Sequence, residues 1–547
     1  MLSQTMLLLR RPQETIERRL HLRLPPDLPD SWERELPRIL GPIGRIPGFR
    51  TAASRFAINK FANAAPPRPH PYSMAADYTT WQSLTDRTYS GRHLPPGTTP
   101  PEDLPSEQDV TALFRRPRNE EVKSTDTSVT FVFFAQWFTD SFLRTDRKNP
   151  AKNTSPHEID LCQIYGLSAE KTDKLRSKTG GHLKSQRIRG EEYPPYLFEP
   201  RDPKGPLIVK EEFKGLHDED VLFKEILARV PDDRMDFVFA VGLEHGNSTI
   251  GHTMLDTIFL REHNRIADVL NAAHPEWEGN DERLFQTTRN IMIVLLLKLV
   301  VEEYIMHIGP FDFPVEMVKF MADGERWNRA NRGAIEFNLL YRWHPLAPDW
   351  IGEGANRLEA KDFLSNNPLV LSRGIESLIA QCSHERSGKI GLFNTPHYLS
   401  ERMDPNVASV EERTVALMRH ARLRTFNEYR EYFGLNPIHS FEELTDDEAV
   451  QDRLREMYGH IDNLEWYVGI FAEDYPDYMM MGWTMTTMVA HDAFTQALTN
   501  PLLAKEVFNV NTFTQTGMDI IEGTRSLEHI IKRNATDPDA VDASFKC

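Results

Sequence analysis

The chain has 547 residues, of which 40% are hydrophobic and 27% are charged, a composition typical of globular proteins. Its net charge of −17 argues against nucleic acid as a partner. The three cysteines, Cys162, Cys382 and Cys547, lie far apart without a metal-binding spacing, which predicts free thiols in a reducing compartment.

The N-terminal segment is basic, although the chain as a whole is acidic. Residues 1–70 contain twelve Arg or Lys and six Asp or Glu, and short apolar pieces in residues 20–65 alternate with prolines. Two interpretations remain open, a peripheral contact with an anionic membrane and a structural arm on the catalytic domain. Since the first residues lack the order of a signal peptide, we expect a cytoplasmic protein or one at the cytoplasmic face of a membrane. Residues 1–75 are predicted to form an N-terminal arm of short helices.

Helical patterns dominate from residue 129 onward, after a Pro-rich connection over residues 91–128. Helices are predicted at 129–145, 252–273, 283–308, 412–434 and 444–459, the last with Thr445 as its N-cap. The apolar run 291–301 is too short to span a bilayer and predicts a buried helix. Because strand-like alternation is scarce, the fold is predicted to be mainly α. Residues 76–535 then form one catalytic domain, and residues 536–547 form a polar tail.

The stretch YRWHP places Tyr341 three residues before His344. On a helix these two side chains share a face, and Pro345 predicts that His344 lies near a helix end. A histidine there could bind a metal or haem iron, and the nearby tyrosine could then be oxidised. The alternative is a core tyrosine and a histidine that caps a helix C-terminus.

Further polar residues interrupt apolar segments. Gln136 and Asp140 lie four residues apart on one predicted helix face, and His245, Ser248 and Thr249 share a face if their segment is helical. A buried aspartate without a cationic partner is costly, so Asp140 is expected to face a cavity, a ligand or a partner. The alternative is a buried, hydrogen-bonded aspartate.

Eight segments resemble animal cyclooxygenases (prostaglandin synthases) of the peroxidase–cyclooxygenase haem superfamily and occur in the same order. They are FFAQWFTDSFLRTD, LCQIYG, FLREHNRIADVLNAAHPEW, LFQTTR, VVEEY, EFNLLYRWHPLAPD, FNEYREYFG and YGHIDNLEWYVG. The resemblance runs from about Tyr78 to about Asn534. It implies an animal-haem-peroxidase-like helical domain with haem b between helices. It also implies a lipid-like substrate of the fatty-acid class that reacts with O2 or peroxide. The oligomeric state stays open, with a homodimer as one alternative.

The resemblance assigns roles on the proximal side of the haem. His344 matches the residue that binds the haem iron, and Tyr341 matches the tyrosine whose radical takes hydrogen from a fatty acid. Trp343 lies where the family packs a tryptophan. Tyr467 matches a tyrosine that can support the other nitrogen of the iron ligand. Tyr304 matches a residue packed near the radical tyrosine.

The distal side departs from the family pattern. Gln136 matches the distal glutamine, but the position of the distal histidine, the base in peroxide cleavage, holds Asp140. An exposed aspartate titrates near ~3.9 and would be a weak base, although burial could raise that pKa. An ungapped match places His245, Ser248 and Thr249 on the dome over the haem, so His245 is a candidate for the missing base.

The substrate channel departs as well. Family positions for the carboxylate-binding tyrosine and arginine fall at Phe311 and near Ala62, with Lys60 the nearest cation. A different substrate anchor is therefore expected. The resemblance implies these channel residues: Tyr304, Phe311, Phe337, Leu340, Val489 and Ala493.

Three functions remain open from the sequence. The first is a haem-dependent oxygenase that works through a radical at Tyr341. The second is a peroxidase, peroxygenase or hydroperoxide-converting enzyme that acts at the iron, with Asp140 or His245 handling protons. The third is a haem-binding sensor without turnover, which the replacement of the distal histidine favours.

Overall fold

The computed structural model describes residues 41, 44–66, 80–118, 120–202, 205–309, 311 and 313–547. Half of residues 20–65, the segment expected to contact a membrane, lies outside these ranges. The mainly α fold is confirmed, and within these ranges eleven helices have eight or more residues. They are α1 Pro47–Ala62, α2 Glu107–Phe114, α3 Val129–Thr139, α4 Ile250–Ala273, α5 Asp281–Leu299, α6 Ile375–Ser383, α7 Val410–His420, α8 Glu448–Tyr458, α9 Trp483–Leu498, α10 Val510–Gly523 and α11 Leu527–Asn534.

Shorter elements connect these helices. The short α-helices include Trp81–Thr85, Cys162–Tyr165, Ala169–Leu175, Ile305–Ile308, Ile335–Leu340, Asn367–Arg373, Phe426–Tyr432 and Trp466–Ala472. Six short strands form three antiparallel pairs in the described ranges: β1 Lys123–Ser128 with β6 Arg386–Gly388, β2 Gln186–Ile188 with β3 Glu191–Tyr193, and β4 Trp350–Ile351 with β5 Leu358–Glu359. Strand β1 leads directly into α3.

Helix α4 lies at the centre of the molecule. It contacts α3, α5 and α11, and most of its side chains are buried, including polar ones. Its first turn is capped by the Thr249 hydroxyl, which accepts a hydrogen bond from the backbone N–H of His252 at 3.2 Å. The apolar run 291–301 lies in α5 and the turn after it and is buried, as predicted, except for Lys298.

Several predicted helices have different bounds in the structure. The segment 412–434 forms two helices, because Arg422 adopts a left-handed conformation (φ 49°) between α7 and the helix Phe426–Tyr432. Helix α8 is capped by Asp447, whose side chain accepts from the N–H groups of Ala449 and Val450, rather than by Thr445. Helix α3 ends at Thr139, which leaves Asp140 as its C-cap.

Helix α1, in the basic N-terminal segment, packs on α9. Ala57, Ile58 and Ala62 are buried, whereas Ile46 and Phe49 at the start of the helix are exposed. The second half of α1 is thus part of the catalytic domain. No helix in the described ranges is long and apolar enough to cross a bilayer. All three cysteines are free, as predicted.

The chain widens into a π-helical turn at Val300–Tyr304, between α5 and the short helix Ile305–Ile308. The turn holds Glu303, whose carboxylate accepts a hydrogen bond from the backbone N–H of Leu527 at 2.7 Å. Burial, partly offset by that hydrogen bond and reinforced by the charge of Glu528, raises the pKa of Glu303 from 4.5 to about 7.

This carboxyl group predicts a pH-dependent stability. A group with a raised folded-state pKa contributes stability that is present below its unfolded pKa and lost as pH rises through the folded pKa. For Glu303 the loss falls between pH 4.5 and about 7 and is on the order of 2 kcal/mol after allowance for partial exposure. Glu303→Gln keeps the acceptor for Leu527, so its thermal midpoint should fall less than that of wild type between about pH 5 and pH 8. The control Glu506→Gln, at an exposed glutamate, should keep the wild-type pH dependence, and equal pH dependence in Glu303→Gln and wild type would refute the assignment.

Candidate functional site

His344 lies just beyond a helix end, as predicted. The helix Ile335–Leu340 ends at Tyr341, and His344 opens a 3-10 turn, His344–Leu346, with Pro345 in its first turn. The expected shared helix face of Tyr341 and His344 is therefore wrong. The physical reason is that proline disfavours helical backbone at the residue before it, so the chain leaves the helix before His344.

A buried carboxylate orients the His344 ring. The Nδ1 of His344 lies 2.7 Å from Oε2 of Glu411, which is on α7 and fully buried. Because a carboxylate only accepts, Nδ1 carries the proton and the lone pair is left on Nε2. Nε2 makes no hydrogen bond with the described residues, and the side chain is 13% exposed. An imidazole held in this way is ready to bind a metal.

The structure corrects the expected role of Tyr467. Its hydroxyl donates to Oε1 of Glu411 at 3.2 Å rather than to His344. The reason is that the Glu411 carboxylate already accepts the hydrogen bond from Nδ1 of His344. Tyr467 therefore contacts Glu411 and does not contact the His344 ring. Both side chains are fully buried. His344, Glu411 and Tyr467 form one hydrogen-bonded chain.

The carboxylate of Glu411 leads to a testable prediction about the iron ligand. A carboxylate on Nδ1 raises the basicity of an imidazole ligand and stabilises the oxidised metal. Glu411→Gln keeps an oxygen acceptor but removes the charge, so haem binding should persist while the iron reduction potential rises. Spectroelectrochemistry measures this shift, with Glu412→Gln, a partly buried neighbour on the same helix that pairs with Arg402, as the control. An unchanged potential in Glu411→Gln would contradict the role given to this carboxylate.

The Tyr341 hydroxyl is buried and faces another tyrosine. The hydroxyl groups of Tyr341 and Tyr304 interact, but neither forms a hydrogen bond of normal geometry. Burial, and then the charge of Asp492, raise the pKa of Tyr341. Burial also raises the pKa of Tyr304. Both phenols are therefore neutral at physiological pH, and loss of a hydrogen atom from Tyr341 must release a proton as well as an electron.

Aromatic rings surround Tyr341. Its ring centroid lies 4.6 Å from that of Trp343 and 5.1 Å from that of Phe337. Tyr304 stacks on Phe131 at 5.0 Å, and Phe131 in turn stacks on Trp343 at 6.3 Å. The structure thus brings together the candidate radical tyrosine and three of the residues expected around it. We call these five rings, Phe131, Tyr304, Phe337, Tyr341 and Trp343, the aromatic cluster.

On the other side of the site, Asp140 has a partner that the sequence did not reveal. Its Oδ2 lies 3.0 Å from Nε2 of His252 on α4. The pKa of Asp140 is raised by burial but lowered more by the hydrogen bond and charge of His252, so it lies below its ordinary value. Asp140 thus faces both a hydrogen-bonding partner and a cavity, as expected from the cost of burying a carboxylate alone. Asp140 is an ionised carboxylate at pH 7 and a poor base.

The segment that holds the other distal candidates is not one helix. His245 lies in a 3-10 helix, Glu244–Asn247, while Thr249 is extended and caps α4. The hydroxyl of Thr249 lies 2.9 Å and that of Ser248 3.4 Å from Nδ1 of His252. Ser248 and Thr249 thus orient His252, and the expected shared face with His245 does not exist, because the chain turns at Thr249.

His245 remains close to the distal carboxylates. It lines a small cavity with Asp140, His252 and Asp256, and its Nδ1 is buried without a hydrogen-bond partner. Burial lowers the pKa of His245 to about 4, so its ring is neutral at pH 7 and, like Asp140, is a weak base. Burial raises the pKa of Asp256, which also accepts a hydrogen bond from the indole N–H of Trp137 at 2.7 Å.

The residues present fit a haem group between the two sides. Gln136 is exposed on α3, and the Asp140 side chain is 31% exposed, although their helix is otherwise largely buried. The buried Arg342 guanidinium lies within electrostatic range of both Asp140 and Glu411, which places the distal and proximal carboxylates around one region. His344 is the residue that would hold the iron, and Gln136 and Asp140 would face the other side.

The expected channel residues divide into three groups. Tyr304 and Phe337 belong to the aromatic cluster, and Leu340, Val489 and Ala493 are buried in the core. Phe311 instead packs on Phe61 of α1 at 5.7 Å and on Phe494 of α9 at 6.3 Å. A pocket of about 480 Å³ opens beside it. It is lined by Arg45, Glu302, Glu303, Met306, His307, Phe311, Phe313, Pro314, Ser544, Phe545 and Lys546.

Sequence reasoning missed three residues of this site: His252, Asp256 and Glu411. His252 and Asp256 lie four residues apart on α4, the spacing that places two side chains on one helix face, so this signal was present. Nothing in the sequence indicates that Glu411 is buried in the site. Glu411 and Glu412 lie in the first turn of α7, where acidic side chains are common and usually exposed to solvent.

Comparison with known proteins decides the family. A sequence model described as animal haem peroxidase matches residues 144–545. The chain belongs to the animal haem peroxidase family. Prostaglandin G/H synthase 1 of Rattus norvegicus is 34% identical over 501 residues, which cover 89% of this chain and 77% of that protein. Prostaglandin G/H synthase 2 of Gallus gallus is 33% identical over 479 residues, which cover 85% and 74%.

Solved structures share the fold of this haem peroxidase family member. Peroxidase A from Dictyostelium discoideum matches with a TM-score of 0.66 at 19% identity, covering 87% of this chain and 99% of that one. Fatty acid alpha-dioxygenase of Arabidopsis thaliana matches with a TM-score of 0.67 at 16% identity, covering 93% and 92%. The protein is a haem-dependent oxidoreductase. A haem-binding sensor without turnover does not fit this class of protein.

Proposed function

We propose that the protein is a haem b-dependent oxygenase that adds O2 to a fatty-acid-class substrate through a radical at Tyr341. The observation that carries this proposal is Tyr341, whose hydroxyl is buried within the aromatic cluster three residues from the histidine that presents Nε2 to a metal. The named fatty acid alpha-dioxygenase of similar fold and the prostaglandin synthase relatives support the substrate class.

The chemistry divides between the cofactor and the chain. Haem, when bound, supplies the oxidising power that the reaction needs. The Tyr341 phenoxyl oxygen takes a hydrogen atom from a substrate C–H bond, which leaves a carbon radical and restores the phenol. O2 adds to the carbon radical, and the peroxyl radical takes the hydrogen atom back, so that substrate and O2 give a hydroperoxide. The aromatic cluster excludes water from Tyr341 and limits side reactions of its radical.

The pocket beside Phe311 is the entrance that we propose for the substrate. Its size is in the range of small-molecule sites, and apolar walls from Met306, Phe311 and Phe313 suit an acyl chain. Arg45 and Lys546 line the same pocket and could pair with a carboxylate headgroup, in competition with Glu302 and Glu303 of the pocket and with Asp126, which pairs with Lys546. Its wall residue Phe545 packs against Tyr304, with ring centroids 6.4 Å apart, so the pocket adjoins the aromatic cluster.

Oxygen uptake tests the proposal. Protein loaded with haem is given a panel of saturated and unsaturated fatty acids with a trace of peroxide, and products are identified by mass spectrometry. We expect O2 consumption that depends on the fatty acid and a product heavier by two oxygen atoms. Consumption of peroxide without incorporation of O2 into any lipid would reject the oxygenase.

A second candidate function is supported by the distal polar cluster of Asp140, His245, His252 and Asp256. These groups could handle the protons of a peroxide or hydroperoxide that reacts at the iron. Peripheral membrane contact by the N-terminal segment and a homodimeric state stay predictions.

Weak peroxidase activity is expected from the distal geometry. Asp140 is ionised and His252 has both ring nitrogens engaged, so neither is a ready base for hydrogen peroxide. Asp140→His should raise the rate of reaction with hydrogen peroxide at least about tenfold, because a positioned general base contributes about 10²–10⁴-fold. Stopped-flow absorbance measures this rate.

The matched control is Asp140→Asn, which removes the charge without adding a base and should show no gain. If wild type already reacts as fast as an efficient haem peroxidase, the base lies elsewhere, and loss of the reaction in His245→Ala would locate it.

A further inference from the structure

Three buried side chains outside the haem site converge from two parts of the chain. His93 follows the extended segment that pairs at Gly91 with Ala334, while His491 and Asp492 are adjacent on α9. All three are at most 1% exposed. One ring nitrogen of each histidine and a carboxylate oxygen of Asp492 lie within 4.8 Å of one another.

We propose that His93, His491 and Asp492 bind a divalent transition-metal ion of the Zn²⁺ class. Two imidazoles and one carboxylate are ligands that such ions accept, and four-coordinate zinc leaves the remaining position for water. Ligand atoms bound at about 2.1 Å in a tetrahedral site lie about 3.4 Å apart. The observed cluster therefore needs only small side-chain shifts to close around an ion.

The protein already orients the ligands. Nδ1 of His491 lies 3.1 Å from the backbone carbonyl oxygen of Phe61. Because a carbonyl oxygen can only accept a hydrogen bond, Nδ1 carries the proton. The lone pair on Nε2 of His491 is then available to bind the ion. Nε2 of His93 lies 2.9 Å from Oδ2 of Asp492, which holds the carboxylate at the cluster. The His93 ring packs against Phe433 with centroids 5.1 Å apart.

A bound ion would also bring positive charge to this buried cluster. The carboxylate and the two imidazoles are removed from water, and Asp492 already has the His93 ring as a partner. A divalent ion would stabilise the buried carboxylate further and leave both imidazoles neutral. It would also join α9 to the segment around His93, with the end of α1 held through the Phe61 carbonyl.

The charge of Asp492 also acts on Tyr341, but zinc content is measured without turnover, so the metal site and the proposed oxygenase chemistry can fail independently. The full chain loaded with haem is treated with a chelator, dialysed against buffer that contains Zn²⁺ and then against buffer alone. Elemental analysis gives zinc per chain, and iron in the same sample reports the haem. We expect about one zinc per chain in wild type, and an affinity lower by on the order of 100-fold or more in Asp492→Asn.

A matched control uses an exposed pair of the same chemistry. Nε2 of His384 lies 2.8 Å from Oδ2 of Asp542, without a third ligand. Asp542→Asn should leave the zinc content unchanged. Zn²⁺ should also raise the thermal midpoint of wild type and not that of Asp492→Asn or His491→Gln.

The wild-type measurement keeps the test decisive even if a variant fails to fold. Wild type that retains no zinc and shows no rise in thermal midpoint would overturn the proposal, and so would Asp492→Asn with full zinc content. The cluster would then be a buried hydrogen-bonded network.

Discussion

The haem Soret band is expected to disappear in His344→Ala, while the helix content stays near that of wild type. The reason is that Nε2 of His344 carries the lone pair that is available to a metal, and alanine removes the whole imidazole ring. Absorption and circular dichroism spectra of protein reconstituted with haem measure both properties. The change also leaves Glu411 buried without its histidine partner, which costs about 3–5 kcal/mol, so the thermal midpoint should fall.

A rescue experiment separates ligand loss from misfolding. His344→Gly should lose the Soret band and regain it when imidazole is added, because the small ligand can occupy the space beside Glu411. The matched control is His307→Ala. His307 is another histidine near the aromatic cluster, neutral at pH 7 because burial lowers its pKa to about 4, and it should keep wild-type haem absorbance. A normal spectrum in His344→Ala would overturn the assignment of the iron ligand.

Oxygen uptake with a fatty acid is expected to fall to background in Tyr341→Phe, while the haem spectrum stays. Phenylalanine keeps the ring contacts with Phe337 and Trp343 and removes only the hydroxyl. That hydroxyl is buried and forms no hydrogen bond of normal geometry, so its removal should leave the thermal midpoint unchanged or slightly higher. An oxygen electrode and electron paramagnetic resonance after oxidation provide the two measurements.

Tyr304→Phe is the matched control for this prediction. Its hydroxyl is also buried and lacks a hydrogen bond of normal geometry, so the two variants should change stability to a similar extent. Only Tyr341→Phe should abolish uptake and remove or alter the tyrosyl radical signal. Full turnover in Tyr341→Phe would move the chemistry to the iron itself and favour the second candidate function.

Local sequence patterns predicted the helical framework, and the resemblance to cyclooxygenases assigned Tyr341 and His344 to the site. Apolar spacing predicted α4 and α5 because a helix repeats every 3.6 residues and buries one face. Pro345 placed His344 near a helix end for an equally local reason. Where the patterns failed, as at the break between α7 and the next helix, a single left-handed residue, Arg422, interrupts residues that individually favour helix.

Only the tertiary structure decided what each polar side chain does. Asp140 and His252 are 112 positions apart, and His344 and Glu411 are 67 apart, so no local pattern pairs them. His93 meets Asp492 across 399 positions. The identity of a residue sets which protons and lone pairs it offers, but its partner is set by the packing of helices distant in sequence. That partner in turn fixes whether a carboxylate such as Asp140 is charged and which nitrogen of an imidazole such as His344 is left to bind iron.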